Sequence, residues 1–354
     1  MAERGRTGPV RATLVLVVLG IALAVAMTVG LAVGPVTIAP STVLRILTHR
    51  VLGGGLIGGE VNWTVLQDDI VWNLRLPRVL LGVVVGAALA TAGVLIQVMV
   101  RNPLADPYLL GISQGASVGA VAFIVLGIGA FGVSSTTGAA TVGAIGAFTI
   151  VYLLARAAGT ESSLRLVLAG IAVGYGFQAV VNFLLLLADN PSETNTALFW
   201  LIGSLAAARW DKLAVPVVVI FVVLVAVFGR AATLNALLLG DETAAASGVS
   251  VARLRRELLL AASALTAAAV AVSGAIGFVG LVVPHACRLF VGGEHRRLLP
   301  TAALAGALFL VAADIVARVA FEARELPIGV ITGAVGAPLF AALILGRRHR
   351  VAAT

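Results

Sequence analysis

The sequence runs to 354 residues, 60% of them hydrophobic and 11% charged. Soluble domains carry about 25% charged residues, so a water-soluble fold is excluded. The net charge of +8 comes from arginines scattered at the ends of apolar runs, not gathered on one face, which excludes a nucleic-acid surface. Cys287 is the single cysteine, which rules out an intrachain disulfide and a thiolate metal cluster.

About ten apolar stretches succeed one another, centred near Ala24, Val85, Val121, Phe148, Gly176, Ile220, Leu265, Val283, Leu310 and Ala337. Each is long enough to cross a hydrocarbon core of about 30 Å at about 1.5 Å per residue. Backbone groups in lipid must be satisfied within the segment, and the short alternating segments of a barrel are missing, so the spans are helices. The sequence therefore predicts an all-α integral membrane protein with one transmembrane domain over 1–354. Leu14 to Val33, preceded by Arg4, Arg6 and Arg11, reads as a retained first span and not as a signal peptide. Between the first two spans, Pro35, Pro40 and the glycines from Gly53 to Gly59 mark an external loop over 34–74. Within it, Ser41 to Leu52 reads as a short helix with Val43, Leu44, Leu47 and Val51 on its apolar side, lying in the membrane interface.

The second span opens on Arg75-Leu-Pro-Arg78. Proline suits a first helical turn, whereas two arginines there oppose the helix dipole. They read either as snorkelling to headgroups or as an anchor for acidic groups on an extracytoplasmic partner. The span ends at Asn102-Pro-Leu-Ala-Asp-Pro107, where the prolines stop one helix and start the next, with Asp106 as a cap. This turn is either a plain connection or a constriction at the inner mouth of a path. The spacings Gly82/Gly86, Gly111/Gly115/Gly119 and Gly170/Gly174 point to close helix packing.

A polar, helix-prone island from Leu234 to Val249 interrupts two apolar spans and is followed by Arg253, Arg255 and Arg256. The basic cluster puts it on the cytoplasmic face. A short helix of small and acidic residues there suits a surface that a cytoplasmic partner presses on. Further along, Gly274, Gly277 and Gly280 break an apolar region, and Pro284 kinks the helix beyond them. Backbone of that kind is tolerated only where protein or water covers it. His285 lies one turn from Arg288, in a structural role. Asp314 and Arg318 are four apart on one helical face. They read as an intrahelical ion pair, or Arg318 joins Arg75 and Arg78 in an outer landing ring.

The positive-inside rule orients the chain. With residues 1–12 cytoplasmic, two-thirds of the 24 basic residues fall inside, as do the loop 233–257 and the C-terminus 347–354. Outside fall Arg45, Arg50, Arg75, Arg78, Arg209, Lys212, Arg318 and Arg324. A P-loop needs Gly-Lys followed by Ser or Thr, and the only lysine, Lys212, sits in RWDKLA, so any ATPase acting on this chain is another polypeptide. The four histidines, His49, His285, His295 and His349, lack ligand spacing, and no enzyme constellation is present.

These stretches in this order make the chain resemble the FecCD family of ABC transporter permeases, the membrane subunits of bacterial importers for iron–siderophore, haem and cobalamin. The resemblance runs from about Leu14 to Gly346. It is carried by RLPR, NPLADP with LGISQGA, LAG from Leu168, GSL from Gly203, GDE with SGV, GAIGFVGLVVPH, HRRLLP, ADIVAR and ELPIGVITGAVGAPLF from Glu325. It implies a type II importer permease fold in the bacterial cytoplasmic membrane, paired with a second copy or a paralogue. It also implies two cytoplasmic ATPases that carry ATP and magnesium, and an extracytoplasmic substrate-binding protein. This chain would hold no cofactor, and its non-protein neighbours would be lipid and not nucleic acid. By resemblance Arg75, Arg78 and Arg318 meet the binding protein. Gly240, Asp241, Glu242, Ala245 and Gly248 form the ATPase coupling segment, and Asn102, Leu104, Ser162, Ser163 and Leu164 belong to the gate, with leucine at 164 where the family's cobalamin importers carry serine. A ferric siderophore is the leading cargo, with haem and cobalamin as alternatives. The rival classes are an ion-coupled secondary transporter, for which Asp314 is the nearest intramembrane carboxylate, and a scaffold membrane protein, which needs neither broken helices nor a docking island.

Overall fold

Long runs of Ala, Val, Leu and Gly without a polar break close all their backbone hydrogen bonds within one helix, and the chain folds as a bundle of such helices. The computed structural model describes residues 9–53, 62–127, 135–157, 163–321 and 325–351, and no strand occurs among them. The first half holds α1 (Pro9–Ala32), α2 (Pro40–Leu52), α3 (Val65–Asp69), α4 (Leu76–Val100), α5 (Ile112–Leu126), α6 (Thr136–Ala157), α7 (Ser163–Leu186) and α8 (Pro191–Ile202). The second half holds α9 (Trp210–Gly229), α10 (Ala231–Leu238), α11 (Asp241–Ala246), α12 (Val251–Ser273), α13 (Val279–Val291), α14 (His295–Val319) and α15 (Ile328–Val351). Seven helical segments are long and apolar enough to span, and α5, α13 and the 328–342 part of α15 are shorter apolar helices. The ten expected span centres fall on these ten elements.

α4 is the axis of the bundle. It packs against α14, α12, α13 and α9, and almost every side chain from Val85 to Met99 is buried. α5 lies on α6 and α7, and α1 lies on α14. Glycines set the closest crossings. A methyl group added at Gly86 would lie 2.3 Å from the Gly306 carbonyl oxygen, and one at Gly93 would lie 1.9 Å from that of Gly280. Gly115 and Gly119 meet Gly143 and Ala139 of α6 in the same way. The anticipated glycine spacings are therefore helix crossings at Gly86, Gly115 and Gly119, and at Gly170 a close approach of α7 to the turn at Leu109 and Leu110.

The start of the second span differs from expectation. Helix begins at Thr64, whose hydroxyl accepts from the Gln67 N–H (3.2 Å) while the Gln67 side chain accepts from the Thr64 N–H (3.0 Å), a capping box. It then runs unbroken to Val100, through a π-helical turn at Ile70–Arg75. Pro77 is thus well inside the rod, not in its first turn, and residues 65–74 belong to helix and not to loop. Within the π register the Leu76 N–H bonds to the Val71 carbonyl, so the next donor, missing in Pro77, would have served Trp72. The indole N–H of Trp210 donates to that Trp72 carbonyl instead (2.9 Å).

α2 forms as read but rotated. Val43 and Ile46 are buried while Leu44 and Val51 are exposed, because the helix packs on α1 and the π turn. The break before α13 occupies Gly274 to Phe278, with Gly274 (φ 67°) and Phe278 (φ 69°) both left-handed. Gly280 lies inside α13, where it lets Pro107 approach. Pro284 deprives the Gly280 carbonyl of its helical donor, and the amide of buried Gln97 donates to the carbonyls of Gly280 (3.3 Å) and Leu281 (3.2 Å). Arg288 in turn donates to the Gln97 side-chain oxygen.

Candidate functional site

α4 covers about 37 Å at 1.5 Å per residue, and the candidate residues gather at its two ends.

At the first end, Arg75, Arg78 and Arg318 converge as expected, but all three are buried and engaged within the chain. α1 has no basic residue in its own last turn, so its terminal carbonyls lack a local partner. Arg75 donates to the carbonyls of Leu31 (2.8 Å), Ala32 (3.0 Å) and Val36, and Arg318 donates to those of Gly30 (2.9 Å) and Val33 (3.3 Å). Both cations therefore sit at the negative end of the α1 dipole, and because the second span's helix already begins after Thr64, Arg75 and Arg78 are not at its positive end. Asp314 pairs with Arg318 at 3.1 Å, the anticipated intrahelical pair, and with Arg78 at 2.9 Å. Arg78 also pairs with Glu325 at 2.9 Å, and that carboxylate is partly open to solvent. The three arginines and Glu325 line a cavity of about 330 Å³ with Pro35 and Leu74, and Nη2 of Arg318 is buried without a hydrogen-bond partner. A neighbouring cavity of about 410 Å³ shares Ala206 and Ala208 and is lined by Arg209 and Lys212. The first end thus offers a cationic recess, with Nη2 of Arg318 closed off from solvent.

At the other end lies the polar island. Gly240 (φ 106°) and Gly248 (φ 80°) bracket α11, and both backbone conformations are strained for any residue with a Cβ. Ala244 is fully buried and anchors the helix, while Glu242, Ala245 and Gly248 are exposed beside exposed Leu238 and Leu239. Asp241 behaves differently from Glu242. Its carboxylate accepts from Arg255 of α12 (2.9 and 3.2 Å) and from Arg101 at the end of α4. The result is an exposed apolar and acidic knob on a short rigid support. α10, which carries it, is tied to the start of α14, where the Asn235 side-chain oxygen accepts from the His295 N–H (2.9 Å).

The turn after α4 is ordered by its own side chains. Asn102 Oδ1 accepts from the Leu104 N–H (2.9 Å), and Asp106 caps the Pro107–Leu110 turn by accepting from the Tyr108 N–H (2.8 Å). Burial pushes the Asp106 carboxyl up to about 6, against the lowering effect of that hydrogen bond. Leu104 is exposed. Asn102 and Leu104 thus lie beside the island, joined to it through Arg101. Ser162 lies outside the described residues. Ser163 and Leu164 open α7, and their side chains lie outside the described residues as well.

Sequence reading passed over Arg101, Arg255, Gln97, Asn235 and Glu325 as partners. Arg101 and Glu325 stand one residue from, or inside, quoted motifs, but no local pattern announces contacts 140 or 247 positions apart. Gln97 had a usable signal: it is a lone amide inside an apolar span, and such a group must find a partner there.

The model of the family described as "FecCD transport family" matches residues 19–346. A cobalamin import system permease protein, BtuC, of Halobacterium salinarum is 46% identical over 79% of this chain and 74% of its own length. The Fe(3+) dicitrate transport system permease protein FecD of Escherichia coli is 41% identical over 81% of this chain and 92% of its own. A solved structure of an inward-facing metal-chelate type ABC transporter superposes with a TM-score of 0.81 at 30% identity, covering 94% of this chain and 99% of that one.

Proposed function

Because the chain belongs to the FecCD transport family, we propose that it is the membrane-spanning permease subunit of an ABC importer that moves a metal chelate across the bacterial cytoplasmic membrane, both termini facing the cytoplasm. The observation that carries this reading is α11, a short helix bracketed by two left-handed glycines that holds Glu242 and Ala245 outward at one end of the bundle. A permease without a nucleotide site needs such a surface to receive force from a separate ATPase. Two ATPase subunits press there, and they carry ATP and magnesium. The gate is formed by the turn at Asn102 and Leu104 with Ser162 and the start of α7 at Ser163 and Leu164. A second copy or a paralogue covers the exposed apolar faces of α7 and α15, where Tyr175, Phe183, Val335 and Leu339 lie open.

At the opposite end, the arginine-lined recess beside the partly open Glu325 takes a carboxylate of an extracytoplasmic substrate-binding protein. The three arginines act from inside this recess and not as an exposed ring. The cargo is a ferric siderophore, a reading supported by the ferric dicitrate relative. The cobalamin relative favours cobalamin as the second reading, with haem as a further alternative. Directional transport then results from biasing one conformational equilibrium at both faces.

The test is Glu242→Arg in the reconstituted complex. At unchanged expression it abolishes ATP hydrolysis stimulated by the loaded binding protein. Normal stimulation in that variant would reject the coupling assignment. Uptake of radiolabelled ferric siderophores, haemin and cyanocobalamin by the same vesicles identifies the cargo.

A further inference from the structure

The reach of Asp241 exceeds that of a docking residue. Its neighbour Glu242 points away from the protein, but Asp241 turns inward and joins three elements: its own helix α11, α12 through Arg255, and the end of α4 through Arg101. Both ion pairs are partly exposed. Pairs of that kind add little to stability, so folding alone gives a weak reason for the arrangement.

The backbone at Arg101 adds a second, independent observation. It is left-handed (φ 54°), one of two such non-glycine residues among those described. It occupies the position after a helix end where glycine is favoured, and strained residues of this kind concentrate where function requires them. The left-handed turn directs the Arg101 guanidinium to Asp241.

From Arg101 the chain continues as a rigid unit. The Asn102 N–H donates to the Gln97 carbonyl (3.1 Å), the Ala105 N–H to that of Asn102 (3.1 Å), and the Leu109 N–H to that of Asp106 (3.1 Å). The unit ends against α7 with no free space. A methyl group at Gly170 would lie 2.1 Å from the Leu109 carbonyl oxygen, and one at Gly111 would lie 2.8 Å from that of Gly170. Pro107 meanwhile presses on Gly280 of α13.

We infer that Arg101 and Asp241 form a clasp through which a displacement of the docking helix α11 is passed, by way of the rigid turn 101–111, to α7. Arg101 is a positioning residue: it touches neither cargo nor nucleotide and acts by fixing where α11 stands relative to the gate turn. This rests on the permease reading above. Glu242 meets the ATPase, and Asp241 hands its motion inward.

The experiment uses the purified complex of the full chain with its ATPase, with a nitroxide on Leu168→Cys, an exposed position of α7. The distance between the labels of the two permease copies is measured with and without Mg-ATP. In Arg101→Gly the ATPase still co-purifies, but the ATP-driven change at Leu168 is lost, and Asp241→Asn loses that change as well. Stimulated hydrolysis falls about tenfold, within the span such coupling networks carry. Arg101→Lys retains at least half of the wild-type response, and Arg101→Gly with Asp241→Asn is no worse than Asp241→Asn alone. Arg101→Gly also relieves the backbone strain, so its thermal midpoint equals or exceeds that of the wild type, which a merely structural role would not allow. A Leu168 response retained in Arg101→Gly, a loss that tracks a lowered midpoint, or additive effects in the double variant would overturn the clasp. A wild-type chain that binds no ATPase, or shows no ATP response, would instead reject the permease reading from which the clasp is drawn.

Discussion

Arg75 and Arg78 stand well inside the continuous helix that begins after Thr64, clear of the positive end of its dipole. Their charges are used on the carbonyls that end α1 and on the carboxylates of Asp314 and Glu325. Asp106 shows the opposite economy. It keeps a cap hydrogen bond to Tyr108 but is buried, and its carboxyl is raised from 3.8 to about 6. Between those two values the folded chain holds more protons than the unfolded one, so this group's contribution to stability falls as pH rises through the window and is fully lost above about 6. Asp106→Asn keeps an acceptor for the cap and removes the titration. Its thermal midpoint therefore exceeds that of the wild type at pH 7.5, and the gap closes as the pH is lowered toward 4; a gap that widens on acidification would contradict this. The cap itself was readable, because Asp before Pro is a local pattern. The burial of Asp106 was not, because it depends on neighbours far away in the chain.

Among the helices, glycine spacing was the most legible feature and helix starts were the least. Gly86 and Gly115 behave as their spacing implies, because close approach in lipid selects for the missing side chain. The partners, Gly306 and Gly143, could not be named from spacing alone. The crossing of Gly93 with Gly280 leaves no room for any side chain. Gly93→Val, which must displace the Gly280 backbone, lowers the thermal midpoint in detergent and destabilises by at least about 1–3 kcal/mol. A midpoint within a degree of wild type would mean that α4 and α13 separate more easily than their contact implies. The π turn at Ile70–Arg75 misled the reading of Pro77: proline usually opens a helix, and a π register with an indole donor waiting at Trp72 has no sequence signature.

Taken whole, the molecule separates its tasks by distance, with the cationic recess and the acidic, small-residue knob at opposite ends of α4. The division was visible in the sequence, since arginine bias and the polar island are local signals. The way the recess is closed by internal carboxylates was not. Glu325 competes with any incoming acid for Arg78. Glu325→Gln therefore increases the association rate of the substrate-binding protein several-fold at low ionic strength, with the gain screened away at high salt. A slower or unchanged rate, measured by surface-immobilised binding, would remove the recess as the landing site.

The buried arginine ties also bear on how the chain is made. α1 leaves the ribosome early, and although Arg75 follows soon enough to cover the carbonyls of Leu31 and Ala32, that of Gly30 waits for Arg318, 288 positions later. At about 5–20 residues per second that interval is roughly 15–60 s. For that time the newly inserted helix must find temporary partners in lipid headgroups, water or the insertion machinery.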